Sequence, residues 1–190
     1  MPLKPGERKL QILQTLAAML QDPAGERITT ATLAAKVEVS EAALYRHFAS
    51  KAQMYEGLIE FIEETLFGLV NRITAEEPNG ARQVAAIVSM LLGFAAKNPG
   101  MTRVLIGEAL VYENERLQVR INKLHDRLEA EIRQALRFAA GQGDIPADRD
   151  VAAQANLIVA YVIGRWHQFT KSRFRRSPLE YIDAQTARLL

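Results

Sequence analysis

Apolar residues recur along the chain at three- and four-residue intervals, the spacing of one face of an α-helix, and strand-like alternation is scarce. Leu13, Leu16, Ala17 and Leu20 form the first stripe, and the turn cluster Asp22-Pro23-Ala24-Gly25 ends it. Two short helices are expected over 30–36 and 41–47, with only Val37-Glu38-Val39-Ser40 between them. Ser40 suits the N-cap of the second, because its hydroxyl can accept an orphan backbone N–H. Ser50 opens a longer helix, and Gln53 three residues on completes a capping box. Leu58, Ile62, Leu66 and Val70 carry that helix to about Ile73.

After Pro78-Asn79-Gly80 a second block of helices is expected over about 82–97, 102–110, 113–140 and 150–175, with a short last one from Pro178. Asn98-Pro99-Gly100 and the stretch from Gly141 to Pro146 break it. Leu117, Ile121, Leu124, Leu128, Ile132 and Leu136 make one long stripe. The pattern predicts an all-α protein of about nine helices in two parts, joined by the helix that Ser50 opens.

Composition narrows the chemistry. The 190 residues include no cysteine, which excludes a disulfide framework, a Cys-ligated metal and a thiol nucleophile, and fits a reducing cytoplasm. His47, His125 and His167 are far apart and lack metal-ligand spacing. No phosphate-binding glycine loop or nucleophile elbow is present, so neither an enzyme nor a cofactor is expected. The start of the chain lacks the apolar stretch of a signal peptide, and no run of about 18 apolar residues occurs, so a soluble intracellular protein is expected, with no membrane role. A net charge of +2 is too even to announce a nucleic-acid partner, so any such evidence must be local.

Local evidence exists over 29–47. Two helices of about two turns separated by a four-residue turn make a helix–turn–helix, whose second helix fits the major groove. The spacing alone also fits a helical hairpin inside a larger bundle. Ala34, Val37, Val39, Ala43, Leu44 and Phe48 suit the inner side, leaving Ser40, Glu41, Ala42, Tyr45, Arg46 and His47 outside for phosphates and base edges. Ala42 suits a thymine methyl. Glu41 is negative on this face, and a cytosine N4 donor or Arg46 would accommodate it. Lys51, at the start of the next helix, suits a phosphate. The basic arm is thin, because Glu7 interrupts Lys4, Arg8 and Lys9. Arg165, Lys171, Arg173, Arg175 and Arg176 read as cations solvating a helix end.

The string Leu44-Tyr45-Arg46-His47-Phe48-Ala49-Ser50-Lys51, preceded by Ile28-Thr29-Thr30 and Ala34-Ala35, resembles the TetR-family DNA-binding domain. The resemblance implies a three-helix DNA-binding domain over 6–66, with Thr29 and Thr30 among its DNA contacts, and a helical dimerisation and partner-binding domain over 67–190. One departure is Glu38, at a turn position usually given to glycine. A left-handed conformation there would cost about 1–2 kcal/mol. A homodimer would set two recognition helices about one DNA turn apart, matching a palindrome, with one or more dimers per site. The helix from Asp150 carries Val151, Ala155, Ile158, Val159, Val162, Ile163, Trp166 and Phe169, more than one neighbour covers, while Gly164 permits close approach. Leu124, Leu128, Ile158, Val162 and Trp166 are the expected dimer contacts, although the same face suits an internal core helix.

Most TetR-type proteins are ligand-responsive repressors, and that remains the alternative function. Met90, Leu91, Phe94, Leu105, Tyr112, His125 and Tyr161 would line a small-molecule pocket, but helical spacing suits plain core at least as well. A narrower resemblance, to the nucleoid occlusion factors of this family, rests on the segments Leu58-Ile59-Glu60-Phe61-Ile62-Glu63, Leu91-Leu92-Gly93-Phe94, Asn98-Pro99-Gly100, Thr102-Arg103 and Leu117-Gln118-Val119-Arg120-Ile121-Asn122. It implies a cytoplasmic, nucleoid-associated protein that binds chromosomal palindromes, captures the C-terminal tail of FtsZ, the tubulin-like division protein, and so blocks septum formation over the chromosome. The matching tail-binding positions are Phe61, Met90, Gly93, Lys97 and Asn98. The resemblance implies a basic residue at the position of Leu69, which lacks that charge, and Arg72 is the nearby substitute. Phe61 and Met90 offer an adaptable apolar surface, or buried core, and Gly93 lets a peptide backbone come close.

Overall fold

The computed structural model describes residues 5–22 and 28–190. Lys4 and the Pro23-Ala24-Gly25 turn lie outside the described residues. Within them the chain forms α1 (Pro5–Met19), α2 (Thr30–Val37), α3 (Glu41–Tyr45), α4 (Lys51–Glu76), α5 (Gly80–Lys97), α6 (Pro99–Leu105), a 3-10 turn (Glu108–Leu110), α7 (Glu115–Gln142), α8 (Val151–Lys171) and α9 (Ile182–Leu189), with no strand.

Side-chain caps set the starts of the short helices. The Thr29 hydroxyl accepts the Thr32 N–H, and the Thr32 hydroxyl accepts the Thr29 N–H, closing a reciprocal box. Ser40 caps α3 through the Ala43 N–H at 3.2 Å. Ser50 caps α4 through the Gln53 N–H, but the expected reciprocal bond is displaced by one residue: Gln53 Oε1 accepts from Ala49, at 2.9 Å. Glu38 is left-handed, at φ 60°, where its N–H and that of Val39 return to Ala35 and Ala34. The missing glycine therefore carries its expected cost of about 1–2 kcal/mol, offset by these two capping bonds.

Three boundaries depart from the sequence pattern. Helix α6 begins at Pro99 rather than at 102, because proline in a first turn forfeits no helical bond. Gly107, at φ 75°, then separates α6 from the 3-10 turn. Helix α8 stops at Lys171, where left-handed Arg173 and Phe174 close it, and α9 begins at Ile182 rather than at Pro178.

Helices α5, α7 and α8 pack on one another, with α4 against α5 and α7. Trp166 is fully buried among them, and its indole N–H donates to the Leu91 carbonyl at 3.2 Å. This packing corrects the dimer assignment. Leu124, Leu128, Ile158, Val162 and Trp166 are at most 2% exposed within a single chain. The wide apolar face of α8 is covered internally by α5 and α7, so these five side chains have no area to offer a second copy. What α8 leaves outside is the stripe Ala153, Leu157, Ala160 and Gly164. Arg165 is also corrected: it is buried and donates to the carbonyls of Ser177, Pro178 and Glu180, tying down the segment before α9 rather than solvating a helix end.

The two halves meet where α6 crosses the end of α1. Gly100 lies so close that a Cβ there would stand 2.1 Å from the Ala17 carbonyl oxygen. Arg103 reinforces the joint by donating to the carbonyls of Leu20 and Asp22 while pairing with Glu108. Helix α4 runs unbroken through the expected domain boundary at 66/67.

One half-buried base predicts a pH response. His125 lies beside Trp166 with its Nε2 unpartnered. Burial pushes its pKa below the ordinary 6.5, only partly opposed by the hydrogen bond to the Leu105 backbone. The unfolded chain therefore takes up a proton near pH 6.5 that the folded chain resists, so this group costs stability as the pH falls below that value. Denaturation curves between about pH 5 and 7.5 should show a steeper acid loss in the native chain than in His125→Gln. Parallel profiles would contradict the assignment.

Candidate DNA-binding face and partner groove

The helix–turn–helix is built on α2 and α3, with Leu33, Ala34, Val37, Leu44 and Phe48 buried beneath it. Val39 and Ala43, expected inside, are only half-buried. Tyr45 is 45% exposed while its neighbour Leu44 is fully buried, so the register presents Tyr45 outward. Ala42 and Arg46 are exposed with it, and His47 is half-buried. Thr29 and Ser40 stay exposed or nearly so, with their hydroxyls engaged in capping. The Thr30 hydroxyl donates to Glu41 Oε2 at 2.7 Å. Glu41 is thus occupied by a hydroxyl from the bracing helix, rather than neutralised by Arg46. At the edge of the motif, Lys9 of α1 stands 5.8 Å from the Phe48 ring centre.

Lys51, expected to suit a phosphate, is engaged within the chain. Its ammonium lies 5.6 Å from the Tyr55 ring centre and is ion-paired to Glu113, in the turn before α7. Two further rungs join α4 to α7. Arg116 meets Glu56 at 2.9 Å, and Arg120 grips Glu63 through Nη2 at 2.5 Å and Nε at 3.2 Å. The hydrogen bond to Glu63 raises the pKa of Arg120, so its charge is secure. Sequence reasoning missed this ladder because its partners lie 57 residues or more apart, beyond any local spacing rule.

The expected tail-binding residues fall on α4, α5 and the corner after it. Phe61 is 37% exposed, although Ile62 beside it is fully buried, so Phe61 is not core. Gly68 and Arg72 share its face of α4, at seven and eleven residues on. Met90 and Gly93 are half-buried and Lys97 is exposed, three and seven residues apart along one face of α5. A Cβ on either Gly68 or Gly93 would meet nothing within 4 Å. Neither glycine is required by packing inside the chain, although glycine costs roughly 0.5–1 kcal/mol in a helix interior. Asn98 is committed in part, its amide donating to the Phe94 carbonyl at 2.8 Å.

The expected small-molecule lining does not converge. Leu91, Phe94 and Leu105 are buried core, and the Tyr161 hydroxyl donates to Gln185 at 2.7 Å. Tyr112 is 77% exposed and cannot wall an interior cavity. An open cleft of about 650 Å³ lies elsewhere, lined by Ser172, Arg175, Arg176, Ser177 and Glu180. Among the described residues no cluster of metal-ligating side chains occurs, and no single helix is long and apolar enough to cross a membrane.

Comparison with known proteins bears on both halves. Residues 12–58 match the family "Bacterial regulatory proteins, tetR family". Residues 80–190 match the SlmA-like family "Tetracyclin repressor-like, C-terminal domain". The chain is 50% identical over 185 residues to the nucleoid occlusion factor SlmA of Alteromonas mediterranea, covering 97% of this chain and 95% of that protein. It is 49% identical to SlmA of Marinomonas sp. strain MWYL1, covering 93% and 90%. Among solved structures, a TetR transcription regulator from Haloarcula marismortui aligns with a TM-score of 0.82 at 13% identity, over 97% of this chain and 96% of that one. The transcriptional regulator FadR of Bacillus subtilis, in complex with stearoyl-CoA, aligns at 0.77 with 15% identity, over 95% and 96%. At such identities these two structures establish the shared fold alone.

Proposed function

The chain belongs to the SlmA family of nucleoid occlusion factors, of TetR type, and from that membership we propose that it couples two binding events. As a homodimer it binds palindromic duplex DNA through the segment 41–51, with Ala42, Tyr45, Arg46 and His47 toward the groove, Lys51 toward a phosphate, and Thr29, Thr30, Ser40 and Glu41 ordering the motif around them. Through Phe61, Met90, Gly93, Lys97 and Asn98 it captures the C-terminal tail of FtsZ and so blocks septum assembly over the nucleoid, where it resides. With limits at 6–66 and 67–190, DNA binding falls to the first half, and the tail site straddles the boundary, with Phe61 on the shared helix α4 and the other four residues in the second half.

The single observation carrying the partner site is the pair of open glycines beside an exposed phenylalanine. Gly68 and Gly93 leave room over α4 and α5 that no described residue fills, and Phe61 stands exposed on the first of these two packed helices. That combination suits a peptide whose backbone lies close while an apolar side chain seats against the ring. The exposed cations Lys97 and Arg72 lie at the ends of the two stripes and suit a carboxylate-bearing tail.

Phe61→Ala tests it. Fluorescence anisotropy should show DNA affinity unchanged within about twofold and FtsZ tail affinity reduced by about tenfold or more, the loss of one interface anchor. Equal loss of both affinities would indicate damage to the fold and remove support for the groove.

A further inference from the structure

Helices α4 and α7 run side by side through three ion pairs, and the rung at the DNA-binding end has reversed polarity. At Arg116–Glu56 and Arg120–Glu63 the base is on α7 and the acid on α4. At Lys51–Glu113 the base is on α4 and the acid precedes α7. The other two rungs hold both bases on α7. The lower rung holds a lysine at the first turn of α4, immediately after the recognition segment, where a phosphate would be welcome.

We propose that Glu113 is an internal competitor for Lys51: its carboxylate occupies the ammonium when DNA is absent and yields it to a backbone phosphate when DNA binds. The Glu113 side chain is 10% exposed and that of Lys51 is 21% exposed, so the pair is partly desolvated and weakly screened by salt. Its rupture is a real cost set against DNA binding, repaid by a charge-assisted contact with phosphate. Tyr55, under the ammonium, keeps the lysine stem in place during the exchange. The released Glu113 is then uncompensated at the entrance of α7, and Arg116, three residues on, is the nearest cation along that segment. Turning toward Glu113, Arg116 would loosen its pair with Glu56 and so alter α4 on the path to Phe61. Glu113 thus sets DNA affinity and lies at the start of a route from the DNA face to the partner groove. This inference rests on the DNA-binding role proposed above.

The experiment is a double-mutant cycle in DNA binding on the full chain, with a short palindromic duplex at moderate and high salt. Glu113→Gln keeps the size and a hydrogen bond while removing the competing charge. It should bind DNA about fivefold more tightly than the native chain, the scale of one partly exposed ion pair. Lys51→Ala should bind more weakly, and the double variant should match Lys51→Ala, because the competitor has nothing left to hold. An unchanged or weakened affinity in Glu113→Gln would overturn the proposal. So would a gain that persists without Lys51, which would reveal general charge repulsion. In the native chain, the Lys51 side-chain nitrogen resonance should shift on DNA addition with loss of its coupling to Glu113, a readout independent of variant folding. A lysine resonance unmoved by saturating DNA would likewise overturn it. Failure of the native chain to bind duplex DNA at all would instead sink the underlying DNA-binding role.

Discussion

Tyr45→Ala is expected to abolish useful DNA affinity without disturbing the fold. Tyr45 is 45% exposed on α3, while the packing of that helix is carried by Leu44, which is fully buried. Removing the ring therefore deletes an outward contact and leaves the interior unchanged. A groove contact of this kind contributes about 1.4 kcal/mol, or tenfold, per half-site. A two-fold dimer loses it twice, so the affinity for a palindrome should fall by roughly a hundredfold. A gel-shift titration, paired with thermal melting and a mass measurement, checks both halves of the expectation. Unchanged affinity at moderate salt would contradict the placement of α3 in the groove. A lowered melting point would assign Tyr45 to the fold instead.

Gly100→Ala should produce the largest loss of stability. The added Cβ would stand 2.1 Å from the Ala17 carbonyl oxygen and 3.1 Å from Leu20 Cβ. The first of these is backbone, which cannot rotate out of the way, so α6 must lift from α1. Overpacking against fixed backbone costs about 3 kcal/mol, a fall in Tm of about 10 °C for a chain of this size. Because α1 belongs to the DNA-binding half and α6 to the other, the displacement also shifts the recognition helix relative to its partner's, and DNA affinity should fall with stability. Gly141→Ala is the matched control. Gly141 lies inside α7, a Cβ there meets nothing within 4 Å, and alanine is the better helix former. That variant should be more stable by about 0.5–1 kcal/mol. Both measurements come from denaturant unfolding, and a neutral Gly100→Ala would show that the joint is loose.

The contrast between these two glycines shows how far the sequence reached. Apolar spacing and caps anticipated the nine α-helices of the described residues, with the starts of uncapped α6 and α9 displaced, because helical periodicity and side-chain capping are local effects legible over four residues. Glu38 was flagged instead by the family resemblance, which marks its turn position as one usually given to glycine. Gly100 and Gly141 are indistinguishable in sequence, since what separates them is a helix 80 residues earlier. The breadth of the apolar face on α8 was read correctly, but its partner was not. Periodicity reports that a face is covered, not by which helix, so Ile158, Val162 and Trp166 fit an internal or an external neighbour equally. Lys51 shows the same limit from the side of charge. Its position at the start of α4 signals a phosphate, while Glu113, which holds it in the free chain, comes from the other half of the molecule. The resemblance names Phe61 on α4, and its exposure next to fully buried Ile62 follows from one step in helical register.

The central claim is that one chain joins DNA binding to capture of the FtsZ tail, and a single titration addresses it. Labelled FtsZ C-terminal tail peptide is added to the protein with and without a saturating palindromic duplex, and the anisotropy is followed. Saturable binding at the α4–α5 groove is expected, tightened by about tenfold when DNA is present, a coupling of ordinary size between two sites on one protein. Absence of peptide binding with DNA at saturation would contradict it.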